Sequence, residues 1–460
     1  MPSKKIVCLG GGSFYFRDIL ADLVLKEGLK GSEVVLYDID IERAELMAKC
    51  GRRLSELAGI DFRIHALKDL TEAIDGADFA IANIGGAGGE GGGYYESKVH
   101  NQDLLISARY GIFQVVGDTA GPAAMMAALR SIPIYLNICR EMEKRCPNIV
   151  FINHANPMAI LCRAMNKYSN LKSIIGICHG VQIGIKHIAK ILKVPPQALD
   201  TIWIGTNHYY WFTRIYHEGK DLYPELRKRT ALLKPDEDKI LSTKLSRIYG
   251  YQITYPYDDH IIEFYPFLAQ VKDGSHLPYK LAKSPEGRIA TEMYTQHGLG
   301  GKPTKTFEPK KPDRKTILKD FNDFLNKATL LEKDKDSLRG ENVGRLIEAI
   351  AKGERHIHIV NIPNRGAVFN LPDTAVLEVE GVTDSHGIRG IYMGKAPLAL
   401  KGLLEKIVTW QELVVDAGIK GDKSLALQAL MLDEMAILPE KAEAMLKELL
   451  VDSKEFLPQF

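Results

Sequence analysis

The 460-residue sequence predicts a doubly wound, parallel α/β sheet followed by an α+β part. Three observations predict it. Short apolar runs alternate with helical periodicity through the first 182 residues. Glycine clusters stand at the ends of several apolar runs, where ligands bind on such sheets. Beyond about residue 200 the alternation gives way to β-branched and aromatic stretches. Two domains are expected: 1–182 for a nucleotide, and 183–460 for substrate, catalysis and subunit contacts, with the site between them.

In chain order, "KIVCLG" reads as a buried strand and "RDILADLVLKEG" as a helix stopped by glycine. "EVVLYDID" is a second strand and "IERAELMAKCGRRLSELAG" a second helix. "ADFAIANIGG" is read as the third strand, and "GPAAMMAALRSIPIYLNICREMEKRC" as a long helix with Pro122 near its start. "NIVFINHANP" and "SIIGICHG" are further buried strands, and a helix follows from about Ile183 to Val194. "TIWIGTNHYYWFTRIYHEG" reads as antiparallel strands with "EGK" as a turn. "GLGGKPTKTFEPKKPDRKT" is expected to be a solvated loop or lid. "HIHIVNIPNRGAVFNLP" and "AVLEVEGV" are strand-like, and two helical runs close the chain.

Composition excludes several function classes. Hydrophobic residues make up 45%, charged residues 26%, and the net charge is +2, so nothing favours a nucleic-acid partner. No apolar run has the length of a membrane span, and "MPSKKIVCLGGGS" has too short an apolar part for a signal peptide. A cytoplasmic location is expected. The six cysteines all precede residue 179, a distribution unlike a disulfide framework.

"IVCLGGGSFYF" sets Gly10, Gly11 and Gly12 between a strand and a helix, with Ser13 and Phe14 following. Glycines there let backbone N–H groups approach a pyrophosphate at the helix N-terminus. Gly10 and Gly12 fit G-x-G-x-x-G, but the third position is Tyr15. Asp38, ending the second strand, suits two ribose hydroxyls and would repel a 2′-phosphate, which favours NAD over NADP. Its distance of 26 residues from Gly12 implies a long intervening helix. Asn83, Gly85 and Gly86 at the next strand end, with Asn153 beyond, complete a Rossmann-like nucleotide reading.

Four segments carry possible chemistry. "NHANP" contains Asn156, "CHG" contains Cys178 and His179, and "GTNHYYW" contains Asn207 and His208. A thiolate and an imidazole suit a divalent transition metal with open positions for oxygen ligands. No local spacing supports that pairing, and a core thiol beside an unrelated histidine is the simpler reading of these residues alone. "TYPYDDHIIEFYP" groups Tyr255, Tyr257, Asp258, Asp259, His260 and Glu263. They read equally as a source of a general base and as a capped helix start.

Taken together and in this order, the pieces resemble glycoside hydrolase family 4, the NAD- and metal-dependent glycosidases. "LGGGS" resembles its nucleotide loop, "GDTAGPAAMMAALRSIPI" its T-G-P helix start, and "NHANPMAI" its N-x-x-N-P segment. "GICHGV" resembles its metal-binding tetrad, "TNHYYW" its N-H-x-x-W, and "VNIPNRGAVFNLPDTAVLEV" its C-terminal strand motif. The resemblance covers nearly the whole chain and implies fold kinship with lactate and malate dehydrogenases. It implies that NAD takes a hydride from sugar C3 and later returns it. Between those two transfers a base removes the C2 proton, the glycosidic oxygen leaves from C1, and water adds back. Mn2+ or another divalent metal would be held by Cys178 and His208. This departs from the usual pair of catalytic carboxylates. His179 falls where some members assist the leaving group, and the C2 base falls on Asp259, then Asp258, then Tyr257. Asn156, Asn207 and Asp118 fall among the substrate contacts.

The tetrad Cys178-His179-Gly180-Val181 resembles the α-glucuronidase subgroup. α-Galacturonidase and α-galactosidase are alternatives within the family. A uronate would need a cation, and the sequence leaves Arg163, Arg214, Arg365 and Arg389 open. Two departures stand out. "GGAGGEGGGYYESK" lacks the arginine of the family's G-G-x-x-A-R, and Asp118 replaces a glutamate. Outside the family, the alternatives are an NAD-dependent hydroxy-acid dehydrogenase and a catalytically silent nucleotide sensor. The expected partners are a small glycoside and further copies of the chain, as a homodimer or homotetramer, with no membrane.

Overall fold

The computed structural model describes residues 3–86, 97–231, 240–253, 258–300, 314–327 and 342–460. Six parallel strands run through the first part: β1 (Lys5–Leu9), β2 (Glu33–Tyr37), β3 (Arg63–Leu67), β4 (Phe79–Ala82), β5 (Val150–Asn153) and β6 (Ser173–Gly176). Their spatial order is β3-β2-β1-β4-β5-β6. This is the doubly wound order, and its direction reverses between β1 and β4. β4 and β5 are buried at every residue, as a parallel sheet covered on both faces requires.

The helices are α1 (Tyr15–Val24), α2 (Ile41–Ala58), α3 (Leu70–Ile74), α4 (Lys98–Arg109), α5 (Gly121–Arg145), α6 (Met158–Tyr168) and α7 (Gly180–Leu192). α1 packs on α2, while α5 packs on α4 and α6, giving two separate helix layers. Pro122 stands in the first turn of α5, where its missing N–H costs nothing.

Two expectations are corrected here. "ADFAIANIGG" supplies the fourth strand, because β3 precedes it at the sheet edge. β3 carries Arg63 and His65 and is only partly buried, so its apolar pattern is weak. The helix after the glycine loop is also short. α1 has ten residues, and a turn at Glu27–Leu29 takes up part of the remaining spacing to Asp38.

Next in the chain comes a small antiparallel sheet: β7 (Asp200–Thr206), β8 (Tyr209–His217), β9 (Lys220–Asp221) and β10 (Gln252–Ile253). Glu218 and Gly219, both at positive φ, turn the chain from β8 to β9. Then β11 (Ile357–Pro363), β12 (Val376–Asp384) and β13 (Gly387–Gly390) extend the large sheet antiparallel beyond β6, making nine strands. The expected boundary at residue 182 therefore falls within one sheet, with β1–β6 before it and β11–β13 after it.

The strand expected over "HIHIVNIPNRGAVFNLP" stops at Pro363. Asn364 takes over, its amide donating to Val368 O and Leu371 O and accepting from Val368 N. Three helices rather than two close the chain, at Leu398–Lys420, Lys423–Leu432 and Pro439–Asp452. The lysine- and proline-bearing run lies mostly outside the described residues, and its end enters a helix at Arg314–Lys327. Among the described residues, no helix is long and apolar enough to cross a membrane. All six cysteines are buried, and none is in a disulfide.

Candidate active site

The glycine loop is built by contact. Gly10 and Gly11 both donate to Tyr37 O, at 2.9 and 2.8 Å. Gly10 has φ +83°, and a Cβ there would stand 2.4 Å from Asn83 O. The loop thus passes directly over the ends of β1, β2 and β4, at the topological switch point. Gly12 N donates to Asp38 Oδ2 at 2.8 Å, and Asp40 N to Asp38 Oδ1 at 2.9 Å. Asp38 therefore pins the loop, and its remaining lone pairs are what it has for a ribose. Ser13 Oγ accepts from Tyr15 N, and Phe14 stacks on Phe321 of helix Arg314–Lys327 at 4.3 Å.

Some expected cofactor contacts change character. Asn153 is fully buried, and its amide is spent on both backbone groups of Ala155, so it shapes the end of β5 instead of facing a ligand. At the end of β4, Gly85 has open space where a Cβ would stand. Gly86 is the tight position, with Ser131 Oγ at 2.7 Å from its would-be Cβ. Tyr15, at the third fingerprint position, hydrogen-bonds His154 Nδ1 across the strand ends.

Beside this loop lies a buried cluster of carboxylate and imidazole groups. Asp118 stands just before α5, His208 in the two-residue turn between β7 and β8, and His260 on the short helix Asp258–Ile261. One ligand atom from each lies within 4.8 Å of the other two. His208 adopts φ +63°, which the tight turn demands. Thr119 Oγ1 joins Asp118 Oδ1 at 2.7 Å and His208 Nδ1 at 2.8 Å. Asn156 Nδ2 donates to Asp118 Oδ2 at 2.7 Å, tying the cluster to the carboxyl end of β5. His260 Nε2 faces Asp118 at 3.8 Å, and its Nδ1 meets Asp259 Oδ1 at 2.9 Å.

The electrostatics follow from burial and these partners. Burial pulls His208 below its ordinary value despite Asp118. Burial also opposes a charge on His260, but Asp118, Asp259 and Glu263 outweigh it and raise His260 to about 9. Burial would raise Asp118, yet the imidazoles hold it well below the usual carboxylate range. A carboxylate and a neutral imidazole are the donors a divalent cation needs. Asn156 Oδ1 and both amide atoms of Asn207 are buried without a hydrogen-bond partner, as suits groups awaiting substrate hydroxyls.

Cys178 is buried at the end of β6, and its sulfur is not part of the trio. His179 is half-buried at the N-cap of α7 and is electrostatically coupled to His208. Asp259 is fully buried, and the Glu286 carboxyl meets it, raised by burial and by the Asp259 charge. Asp258 takes a different part: it accepts from Leu241 N at 2.7 Å and Ser242 N at 3.2 Å, capping the neighbouring helix Ile240–Tyr249. Tyr257 lies outside the described residues. Of the four arginines, Arg163, Arg214 and Arg389 are held in ion pairs with Glu412, Asp200 and Asp384. Arg365 is exposed.

Thr119 enters the site without a sequence signal, while His260 and Glu263 belong to the titratable group read as a source of a general base. Both lie in "TYPYDDHIIEFYP", a segment dense in titratable groups. Nothing in "GDTAGP" distinguished Thr119 from an ordinary turn residue.

Comparison with known proteins agrees across the chain. Residues 5–194 match the family 4 glycosyl hydrolases, and residues 203–436 match the C-terminal domain of that family. An α-galactosidase of Bacillus subtilis is 30% identical over 433 residues, covering 94% of this chain and 93% of its own. An α-galacturonidase of Lachnoclostridium phytofermentans is 28% identical, covering 99% and 97%. The fold matches a 6-phospho-α-glucosidase from gut microorganisms, solved with NAD and Mn2+, at TM-score 0.75 and 23% identity over the whole of both chains. A lactate dehydrogenase matches at TM-score 0.53 and 14% identity, over 91% of this chain and the whole of the other.

Proposed function

The chain belongs to family 4 of the glycosyl hydrolases, and on that premise we propose that it cleaves α-glycosides with NAD and a divalent cation such as Mn2+. The observation that carries this reading is the convergence of Asp118, His208 and His260 at the strand ends beside the glycine loop. The tight glycine cradle suits the dinucleotide, and the Asp118 carboxylate and the His208 imidazole suit the cation. Gly10, Gly11, Gly12 and the N-terminus of α1 would take the pyrophosphate, with Asp38 at the ribose. His208 and Cys178 would hold the cation, with Asp118 and His260 at its edge.

Bound NAD supplies a reversible hydride acceptor, and the bound cation supplies Lewis-acid polarisation of neighbouring sugar oxygens. The chain's own residues do the rest. Asn156 and Asn207 orient the sugar through amide atoms that are otherwise unpartnered. Asp259 accepts the C2 proton at Oδ2, while its Oδ1 stays on His260. His179, at the mouth of α7, donates the proton the leaving oxygen needs, and water then adds at C1 as C2 regains a proton. Burial of Asp118, His208 and Asp259 keeps bulk water from these transfers.

For substrate, the tetrad Cys178-His179-Gly180-Val181 favours α-glucuronides. A second reading, galacto-configured substrates, is favoured by the α-galactosidase and α-galacturonidase relatives. Aryl α-glucuronide, α-galacturonide and α-galactoside should be assayed under reducing conditions with NAD and Mn2+. Product formed in D2O should carry deuterium at C2. Hydrolysis that persists in protein stripped of NAD and treated with EDTA, with no deuterium incorporated, would sink the reading.

A further inference from the structure

We propose that Glu263 is a positioning residue that sets Asp118 in the cation site; this rests on the cation site proposed above. Glu263 lies in the turn Ile262–Phe264, immediately after the helix that carries Asp259 and His260. It is only 2% exposed. Its carboxyl group turns to the backbone that leads into Asp118. Oε1 accepts from Val115 N at 2.7 Å, Val116 N at 2.8 Å and Gly117 N at 3.1 Å, and Oε2 lies 3.0 Å from Gly117 N. Three consecutive amides converging on one carboxyl form a backbone nest. Gly117 permits it at φ +67°, and a Cβ there would stand 2.7 Å from Ala123 Cβ.

The next residue is Asp118. Its carboxylate is held by Asn156 and Thr119, while Glu263 anchors the backbone that leads into it. Because Glu263 shares a turn of chain with His260, the same tie sets the spacing between Asp118 and His260. The loop has further restraints that do not reach His260. Tyr294 Oη donates to Gln114 O at 2.6 Å, and the Gln114 amide bridges Ala120 O and Ala123 N. Glu263 alone among these joins the Asp118 loop to the segment carrying Asp259 and His260. With Oε1 engaged by three amides and Oε2 at the third, Glu263 is a tie and not the base.

The test is Mn2+ binding, read from the electron paramagnetic resonance of free Mn2+, in wild type, Glu263→Ala and Glu263→Gln. NAD affinity is measured alongside. Partners one shell out from a metal typically change its affinity by roughly 10- to 100-fold. Glu263→Ala should weaken Mn2+ binding by about tenfold or more while NAD binding stays unchanged. Glu263→Gln keeps an oxygen for the amides and should bind Mn2+ nearly as wild type does. In wild type, amide exchange at residues 115–117 should slow further when Mn2+ is added, which needs no variant to fold. Equal Mn2+ affinity in Glu263→Ala, parallel loss of NAD binding, no rescue by Gln, or metal-independent exchange would each overturn the proposal. A wild type that binds NAD but no Mn2+ would overturn the cation site itself.

Discussion

Glu378→Gln should remove a pH-dependent loss of stability. Glu378 sits opposite Asn361 in the β11–β12 register, and both are fully buried. Asn361 Nδ2 donates to Glu378 Oε1 at 3.3 Å, while Asn361 Oδ1 and Glu378 Oε2 have no partner. One proton on Oε2 resolves both, because an acid and an amide can pair through two hydrogen bonds. Burial accordingly raises Glu378 from 4.5 to about 8. Between those values the folded protein keeps a proton that the unfolded chain has released. Stability therefore falls as pH rises through the window, by about 1.4 kcal/mol per unit, or about 3 kcal/mol by pH 7. A glutamine needs no proton and donates to Asn361 Oδ1 directly. Trp203 Nε1 binds the backbone of Glu378 at 2.8 Å, so the strand stays anchored in the variant. Denaturant midpoints of both proteins at about pH 5 and about pH 8 should diverge, wild type losing about 4 kcal/mol more than Glu378→Gln. Parallel pH profiles would refute the reasoning.

Gly10→Ala forces a left-handed residue into contact with Asn83 O, at about 1–2 kcal/mol of strain plus the clash; NAD titration should show a loss of affinity of about tenfold or more. Asp258→Ala should lower the melting temperature through a lost cap worth about 1 kcal/mol, yet leave kcat intact. Asp259→Asn should do the reverse, with kcat down by about 100-fold or more and the melting temperature nearly unchanged. Asp103→Ala strands buried Arg130, which now binds Asp103 at 2.6 and 3.2 Å, and thermal unfolding should register a loss of about 3–5 kcal/mol.

The nucleotide half was legible because its signals are local. A strand, a glycine turn and a helix start each occupy a few adjacent residues, as "KIVCLGGGSFYF" illustrates. What escaped was whatever depends on partners. β3 is an edge strand with Arg63 and His65 on it, and edge strands need no apolar alternation. That β11 joins β6 rests on a single register pair, Asn361 with Gly176, far apart in the chain. Gly176 allows it, since a Cβ there would stand 3.0 Å from Asn361 Cβ.

The candidate site divides along the same line. His208 announced itself through "TNHYYW", and its positive φ explains why so short a turn aims an imidazole inward. Asp258 and Asp259 are adjacent in sequence and looked interchangeable. Their surroundings separate them: Asp258 caps a helix start 16 to 17 residues earlier, while Asp259 keeps one oxygen on His260. Sequence supplies the kinds of side chain available for catalysis. Which of two like side chains is taken up by the scaffold is decided by backbone N–H groups, here those of Leu241 and Ser242, which bind Asp258 and not Asp259.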